Sequence, residues 1–248
     1  MRKFGLIGFP LSHSFSPAYF ANKFATEGIF NCSYESYPIE DIQLFTSLIH
    51  GNPELEGLNV TIPYKKSIIP FLNKCSDAVT KIAACNCIKI KNSQLTGHNT
   101  DVIGFEKSLA EKLTSSHKNA LVLGTGGSAA AVQFVLEKLG IKFINVSRTA
   151  NSSGNITYND LSEALITKHT LIINTTPLGM FPNVNDYPPI PYQHINSTHY
   201  LFDLVYNPVE TVFLKKGAVQ GALVKNGADM LIIQAEESWK IWNDDSAQ

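Results

Sequence analysis

Cysteine and charge are both scarce in this sequence. Four cysteines occur among 248 residues and none belongs to a C-x-x-C pair, so we expect neither a disulfide framework nor a bound metal. Charged residues make up 17% of the chain and the net charge is -1, which excludes bulk attraction to nucleic acid. No run approaches the ~20 apolar residues of a membrane-spanning helix. These absences favour a cytoplasmic protein whose thiols stay reduced.

Hydrophobic residues are plentiful at 44%, and strand-like and helix-like segments alternate through the first hundred residues. Ser16 followed by Pro17 predicts a helix start, with a capping hydroxyl and a proline at the first helical position. Such alternation implies a mostly parallel sheet covered by helices. The predicted segments are strands at 3–9, 34–39 and 58–62, helices at 17–28 and 41–49, and a hairpin of 85–91 and 95–99.

The alternation restarts after Asp101. An apolar strand at 120–123 leads into a glycine-rich turn and a helix at 129–139, and a strand at 142–146 completes a β-α-β unit. The fold class is therefore α/β, with two α/β lobes that divide near residue 100. Further predicted segments are a helix at 105–113, strands at 171–173 and 200–204, and a proline-rich loop at 182–191.

The turn that contains Gly124, Gly126 and Gly127 has the context of a dinucleotide site. Glycines let the backbone approach a pyrophosphate, and the N-terminus of the next helix offers free N–H groups and the positive end of its dipole. A tight turn with a purely structural role is the alternative. The position of this glycine turn between an apolar strand and an alanine-rich helix favours dinucleotide binding.

Ser147, Arg148 and Thr149 follow the next strand. An NAD site commonly has an acidic residue there, which binds the ribose 2′-hydroxyl. A guanidinium and two hydroxyls suit a 2′-phosphate instead, through charge-assisted hydrogen bonds. A solvated surface arginine is the alternative. We therefore expect NADP rather than NAD.

A second group of polar residues follows the strands of the first lobe. Ser14 and Ser16 are expected in a loop after the first strand, and Thr61 and Lys65 at or just beyond the end of another. Taken one by one, they are also explained as loop residues, helix caps or surface side chains. Because α/β proteins bind ligands at the carboxyl ends of strands, we expect the group to face one cleft between the lobes. Other short polar residues near the lobe boundary are Asn86, Asn99, Thr100 and Asp101.

Seven blocks of the sequence resemble the signature motifs of the shikimate dehydrogenase family, in the family's order and over nearly the whole chain. They are residues 14–17 (SFSP), 59–65 (NVTIPYK), 99–101 (NTD), 124–127 (GTGG), 174–180 (NTTPLGM), 203–208 (DLVYNP) and 230–235 (MLIIQA). The resemblance implies NADPH-dependent reduction of 3-dehydroshikimate to shikimate, in aromatic amino-acid biosynthesis. It also implies a substrate-binding domain of residues 1–100 and 228–248, completed by the C-terminal helix, and a Rossmann-like NADP-binding domain of residues 101–227. The expected partners are small molecules, and the sequence is compatible with a monomer or a homodimer.

The resemblance also implies roles for individual residues. Lys65 is the acid–base residue and acts together with Asp101. The residues implied to bind substrate are Ser14 and Ser16 on its carboxylate, Thr61, Asn86 and Asp101 on its ring hydroxyls, and Gln234 and Tyr206 nearby. The residues implied to bind NADP are Gly124, Thr125, Gly126, Gly127 and Ser128 at the pyrophosphate, Ser147, Arg148 and Thr149 at the 2′-phosphate, and Asp77, Thr175, Leu204 and Gly227 elsewhere.

Two positions near the 2′-phosphate differ from the family pattern. Ser147 replaces a common asparagine and Ser152 replaces a basic residue, so we expect a looser phosphate clamp. A quinate dehydrogenase with relaxed substrate or cofactor choice is the nearest alternative. A non-catalytic nucleotide-binding regulator is disfavoured because Lys65 and Asp101 are both present. An S-adenosylmethionine-dependent transferase is disfavoured because Ser147 to Thr149 include no acid.

Overall fold

The computed structural model describes residues 1–12, 14–149 and 155–244, so Ser152 lies outside the described residues. The helices are α1 (Phe15–Thr26), α2 (Leu44–Gly51), α3 (Asp77–Ile82), α4 (Thr100–Ala110), α5 (Gly127–Lys138), α6 (Glu163–Lys168), α7 (Val212–Val219) and α8 (Ala228–Asn243). The strands are β1 (Arg2–Gly8), β2 (Cys32–Pro38), β3 (Leu55–Val60), β4 (Lys74–Cys75), β5 (Cys87–Lys91), β6 (Gln94–His98), β7 (Asn119–Leu123), β8 (Lys142–Ser147), β9 (Ile156–Thr157), β10 (Leu171–Asn174), β11 (Tyr200–Asp203) and β12 (Leu223–Lys225). Within these ranges, no helix combines the length and apolar character needed to span a membrane.

Met1–Ile103 and Leu231–Gln248 form one compact unit, here unit 1. Its strands make a mixed sheet in the order β2-β1-β3-β5-β6-β4. Because β1 and β3 run parallel, the segments that follow them leave the sheet at the same edge. These segments carry Ser14, Thr61 and Lys65. β5 is antiparallel to β3, so it begins at this edge, and Asn86 immediately precedes it.

The C-terminal helix α8 packs on the sheet of unit 1. Trp242 stacks on Phe4 with ring centroids 4.9 Å apart, and its indole N–H donates to the Ile88 carbonyl at 3.0 Å. Gly57 in β3 leaves the space for this indole, because a Cβ there would lie 2.3 Å from the indole nitrogen. Buried aromatic rings contribute much of a core's stability through their large apolar area. The predicted return of the C-terminal helix to the first lobe is thereby confirmed.

Gly104–Met230 form unit 2, whose sheet is entirely parallel in the order β12-β11-β10-β7-β8-β9. Numbered within the unit from β7, this order reads 6-5-4-1-2-3, which is the doubly wound dinucleotide-binding topology. The order of strands reverses between β7 and β10, and ligands of such sheets bind beside that point, at the carboxyl ends of the strands. Buried Leu121, Ile172 and Leu201, one from each central strand, lie in its core.

The start of α1 differs from the prediction. Ser14, not Ser16, occupies the N-cap, and its side chain makes no capping hydrogen bond. The prediction placed Pro17 at the first helical position, whereas the helix already begins at Phe15, since proline is tolerated throughout a first turn where backbone N–H groups have no helical partner. Ser16 therefore lies in the helix, not in a loop, and is buried.

Candidate active site

Lys65 and Asp101 form a direct ion pair in unit 1. The Lys65 ammonium donates to Asp101 Oδ2 at 2.7 Å, and the two side chains are 34% and 19% exposed. Lys65 lies in the turn after β3, and Asp101 lies in the first turn of α4. An ammonium has three N–H donors, so the bond to Asp101 leaves donors for a ligand oxygen. An acid in a first helical turn is also favoured by the helix dipole.

The short segment before β5 fixes both partners of this ion pair. The Lys65 carbonyl accepts from the Cys85 N–H at 2.7 Å. Asn99, which precedes α4, donates through its amide to the Ala84 carbonyl at 2.9 Å and accepts from the Val102 N–H at 3.2 Å. Neighbouring residues of one segment therefore hold the turn that carries the lysine and the helix start that carries the aspartate.

Asn86 and Gln234 are brought into contact by the fold. The Asn86 Nδ2 group donates to Gln234 Oε1 and to Thr100 Oγ1, each at 3.1 Å. The Asn86 Oδ1 atom accepts from the Thr100 backbone N–H at 2.7 Å. Asn86 is buried, whereas Gln234 on α8 is half-buried. The bonds to Thr100 thus fix the amide, and one N–H is directed toward the more accessible Gln234.

The remaining predicted substrate residues occupy different elements. Ser14 occupies the N-cap position of α1 and Ser16 lies in its first turn. Thr61 follows β3, and its N–H donates to the Ile7 carbonyl at 2.9 Å. Gly8 on β1 leaves room for Thr61, since a Cβ at Gly8 would lie 2.5 Å from the threonine methyl. Tyr206 belongs to unit 2, in the segment after β11.

A cavity of about 940 Å³ in unit 1 lies elsewhere. Its wall includes Leu55 at the start of β3 and Lys91 at the end of β5, and these positions mark the edge of the sheet opposite Thr61 and Asn86. None of the residues predicted to bind substrate lines it. Cavity size is therefore a poor guide to the candidate site in this unit, and the convergence of polar side chains is the better one.

In unit 2, Gly124 and Thr175 meet where the strand order reverses. Gly124 has φ +110°, and a Cβ there would lie 2.7 Å from the Thr175 hydroxyl. Thr175 donates to the Leu123 carbonyl from its N–H at 2.9 Å and from its hydroxyl at 2.7 Å. Only glycine accommodates both this φ and this approach. The ends of β7 and β10 are therefore joined beside the expected dinucleotide position.

The N-terminus of α5 is open and exposed. Gly126 is the N-cap, and neither Gly126 nor Gly127 has any atom within 4 Å of the position a Cβ would take. Thr125 and Ser128 beside them are exposed. The first N–H groups and the positive dipole end of a 12-residue helix thus face open space, which fits a pyrophosphate.

Ser147, Arg148 and Thr149 lie at the end of β8, as predicted from the sequence. The Ser147 hydroxyl donates to the Thr149 carbonyl at 2.5 Å, which closes a tight turn around Arg148. Arg148 is exposed. Burial raises the pKa of Tyr158, and the positive charge of Arg148 opposes that shift, so the guanidinium lies near this ring.

The other predicted cofactor residues are spread over both units. Gly227 approaches the chain after β11 so closely that a Cβ there would lie 2.4 Å from the Leu204 carbonyl oxygen. Its N–H donates to the Val205 carbonyl at 3.2 Å, so Leu204 and Gly227 are adjacent. Asp77 is an exposed residue at the start of α3 in unit 1.

One buried acid in unit 2 received no role from the sequence. Asp203 is fully buried and accepts hydrogen bonds from Thr211 Oγ1 at 2.6 Å, Asn174 Nδ2 at 2.9 Å and the Val205 N–H at 3.0 Å. Burial raises its pKa to about 6, and these three donors partly oppose the shift. Asn174 also accepts from Thr176. The pair of Asp203 and Asn174 therefore fixes the segments after β10 and β11. The sequence signal for it was that each residue begins a signature block, 174–180 and 203–208.

Comparisons with known proteins identify related chains. Residues 6–88 match the family described as the shikimate dehydrogenase substrate binding domain. A shikimate dehydrogenase (NADP(+)) from Methanococcus vannielii is 38% identical, over 96% of this chain and 90% of its own. The crystal structure of shikimate 5-dehydrogenase from Thermus thermophilus in complex with NADP(H) and shikimate matches with a TM-score of 0.84 and 28% identity, covering 98% of this chain and 94% of that chain. Quinate dehydrogenase from Corynebacterium glutamicum in complex with NAD matches with a TM-score of 0.86 and 25% identity, over 98% and 93% of the two chains.

Proposed function

Because the chain belongs to the shikimate dehydrogenase family, we propose that it catalyses the reversible, NADP-dependent interconversion of shikimate and 3-dehydroshikimate. This oxidoreductase reaction is a step of the shikimate pathway of aromatic amino-acid biosynthesis. The observation that carries the proposal is the ion pair of Lys65 and Asp101, whose atoms lie 2.7 Å apart. Reduction of a ketone requires a proton-transfer group, because negative charge develops on the carbonyl oxygen. Lys65 places such a group at the edge of the sheet where β3 ends.

Lys65 is assigned the proton transfer. In the direction of reduction its ammonium stabilises the developing charge on the C3 oxygen and donates a proton to it. In the direction of oxidation the neutral amine accepts the proton of the C3 hydroxyl. Asp101 keeps the lysine in place through their hydrogen bond, and its other carboxylate oxygen is assigned to a substrate hydroxyl. General acid–base catalysis of this kind contributes about 10²–10⁴-fold in rate.

The substrate is held by side chains from several elements of unit 1. We assign its carboxylate to the hydroxyls of Ser14 and Ser16, and its ring hydroxyls to Thr61 and Asn86. The Asn86 N–H that donates to Gln234 is assigned to this contact, with the substrate replacing Gln234 as its acceptor, because the other N–H is bonded to the fully buried Thr100. Gln234 then completes the pocket wall, and Tyr206 is assigned to the substrate from unit 2.

NADPH supplies the hydride that reduces the C3 carbon. The open helix N-terminus supports the placement of its pyrophosphate at Gly124, Thr125, Gly126, Gly127 and Ser128. The exposed guanidinium of Arg148 is assigned to the 2′-phosphate, with Ser147 and Thr149 on either side. The remaining assigned contacts are Asp77, Thr175, Leu204 and Gly227.

The test is oxidation of shikimate by NADP+, followed through the absorbance of NADPH, with quinate and NAD+ as alternative substrates in separate assays. We expect turnover with shikimate and NADP+, and lower kcat/KM with either alternative. Absence of shikimate-dependent NADPH formation by protein with native circular dichroism would overturn the proposal. Equal kcat/KM for quinate would instead establish the relaxed enzyme as the correct description.

A further inference from the structure

A continuous set of buried hydrogen bonds lies beneath the candidate substrate residues of unit 1. Its members are Tyr34 on β2, Asn59 on β3, Thr100 on α4 and Ser238 on α8, here called the polar network. Asn59 is 6% exposed, and Thr100 and Ser238 are fully buried. Four elements distant in sequence are therefore connected by side-chain hydrogen bonds where apolar packing is the usual solution.

Asn59 is the centre of the polar network. Its Oδ1 accepts from the Tyr34 hydroxyl at 2.8 Å, and its Nδ2 donates to Ser238 Oγ at 2.9 Å and to the Asn86 carbonyl at 3.3 Å. If the Asn59 amide were flipped, its Oδ1 would face the Asn86 carbonyl oxygen, and two acceptors would be in contact. Only one orientation therefore satisfies all the partners.

Ser238 and Thr100 carry these bonds to the candidate site. Ser238 donates to the Gln234 carbonyl at 2.9 Å, and its oxygen lies 3.3 Å from the Thr100 hydroxyl. Thr100 in turn makes three bonds with the Asn86 amide, at 2.7, 3.1 and 3.3 Å. Asn86 and Gln234 are thus both held by the polar network.

The polar network also lies close to Ser16 on α1. Burial raises the pKa of the Tyr34 hydroxyl well above its ordinary value, and the nearby Ser16 side chain acts in the opposite direction. Because Tyr34 also donates to Asn59, the polar network extends toward Ser16, which is assigned to the carboxylate end of the substrate. At Thr100 and Ser238 it contacts Asn86 and Gln234, at the end assigned to the substrate hydroxyls.

We propose that Tyr34, Asn59, Thr100 and Ser238 are positioning residues for the substrate. They set the distance and the orientation between the carboxylate-binding end of the pocket at Ser16 and the hydroxyl-binding end at Asn86 and Gln234. The inference rests on the proposed function, because it concerns the same substrate, a rigid ring with a carboxylate at one end and hydroxyls at the other.

The physical basis is that such a ring cannot adapt to a displaced partner. A flexible ligand rotates to recover a hydrogen bond, whereas a rigid ring loses the bond when its partner moves by a fraction of an ångström. Buried polar networks fix a unique geometry only when every member is satisfied. Removing one hydroxyl from the polar network leaves a buried donor or acceptor without a partner, and the surrounding side chains then rotate to recover it.

The experiment compares variants that keep the shape of a side chain and remove its hydroxyl. Thr100→Val removes the bonds from its hydroxyl to Asn86, and Thr100→Ser restores the hydroxyl. Tyr34→Phe removes the hydrogen bond to Asn59. Because Tyr34 is not assigned to the substrate, any effect of this variant on substrate binding must pass through the polar network. Tyr192→Phe is the matched control, since its hydroxyl donates to the Pro188 carbonyl at 2.8 Å in unit 2.

We expect Thr100→Val to raise the KM for shikimate by about tenfold, the change that corresponds to one lost hydrogen bond of about 1.4 kcal/mol. Tyr34→Phe should raise it severalfold, and Thr100→Ser and Tyr192→Phe should leave it within about twofold of the unmodified protein. The KM for NADP+ should stay unchanged in all four. The midpoint of thermal unfolding should fall in Thr100→Val, Tyr34→Phe and Tyr192→Phe alike.

A purely structural role predicts a different pattern, in which unfolding midpoints fall and the KM for shikimate stays constant in both Thr100→Val and Tyr34→Phe. That pattern would overturn the inference. If Thr100→Val does not fold, Tyr34→Phe decides alone. Thermal stabilisation by shikimate gives a binding readout that needs no turnover. Lack of turnover by the unmodified protein would count against the proposed function, whereas shikimate binding that is insensitive to Tyr34→Phe would count against the polar network.

Discussion

The Lys65 ammonium lies 2.7 Å from Asp101 Oδ2, although 36 positions separate the two residues in the sequence. The segment before β5 creates this proximity, because Cys85 binds the Lys65 carbonyl and Ala84 binds the Asn99 side chain at the start of α4. The ion pair is thus held from both sides by backbone groups. A proton-transfer residue that is fixed in this way needs little reorganisation during the reaction.

Replacing Lys65 with alanine should lower kcat by about 10²–10⁴-fold, because the proton donor and acceptor is removed. The KM for shikimate should change far less, since other side chains are assigned to bind it. Steady-state kinetics of shikimate oxidation measure both constants. Lys66→Ala is the control, because Lys66 is an exposed neighbour. A nearly normal kcat in the Lys65→Ala variant would show that Lys65 is not the proton-transfer residue.

In the proton transfer itself, Asp101 should act through Lys65, to which it is bonded. We therefore expect the double variant Lys65→Ala/Asp101→Ala to lose about as much kcat as Lys65→Ala alone, since groups that act as a unit are not additive. A double-mutant cycle on kcat measures this coupling. If the fold decrease in kcat of the double variant equals the product of the decreases of the two single variants, the two residues act independently.

Gly126→Ala should leave the fold intact and weaken the cofactor site. Gly126 has φ -77° and no neighbour within 4 Å of a Cβ, so a methyl group is tolerated in the protein itself. The same methyl group would occupy space assigned to the pyrophosphate, and the KM for NADP+ should rise by about tenfold or more. Gly51→Ala, also at an open position, serves as control. An unchanged KM would place the pyrophosphate elsewhere.

Arg148→Ala should raise the KM for NADP+ by about tenfold and leave that for NAD+ nearly unchanged, because only NADP+ carries the 2′-phosphate. The ratio of kcat/KM values for the two cofactors is the measurement. Lys168→Ala, which removes an exposed charge from α6, controls for the general electrostatic effect. Equal increases for both cofactors would contradict the assigned role.

The titration of Asp203 should lower the free energy of unfolding as the pH rises from about 4 to about 6. Its pKa is about 6 in the folded protein, against an ordinary value of 3.8, so the folded state binds more protons than the unfolded chain within this window. The free energy of unfolding then falls by at most about 3 kcal/mol on going up through it.

Urea unfolding of the unmodified protein and of Asp203→Asn at several pH values tests this prediction. The unmodified protein's free energy of unfolding minus that of the variant should fall across the window, because the asparagine amide does not titrate and the other acids contribute equally to both proteins. If this difference between the two free energies of unfolding is constant or rises with pH, the pKa of Asp203 is not raised in the folded protein.

The sequence predicted the central β-α-β unit of unit 2 to within two residues at each end. The expected strand 120–123 and helix 129–139 correspond to Asn119–Leu123 and Gly127–Lys138, because the apolar run, the glycines and the alanine-rich segment all indicate the same structure. Helices α3, α6 and α7 and strands β4, β9 and β12 were not predicted. These elements have between two and eight residues, too few for a hydrophobic period to stand out.

The candidate site was predicted residue by residue but not as a set of contacts. Asn86 and Gln234 are 148 positions apart, and nothing in local periodicity indicates that they touch. Asn59 begins a signature block and Ser238 belongs to none, and in neither case does the sequence show that the side chain is buried, which follows only from the packing. The assigned roles of these residues stay predictions until the variants are measured.

Helix α8 gives the chain an unusual order of completion. Trp242 stacks on Phe4 and donates to the Ile88 carbonyl, so the sheet of unit 1 lacks part of its core until α8 has been synthesised. Domains generally fold in the order in which they leave the ribosome. Here the whole of Gly104–Met230 emerges between the strands of this sheet and the helix that completes its core, so unit 1 becomes complete only after unit 2 has been synthesised.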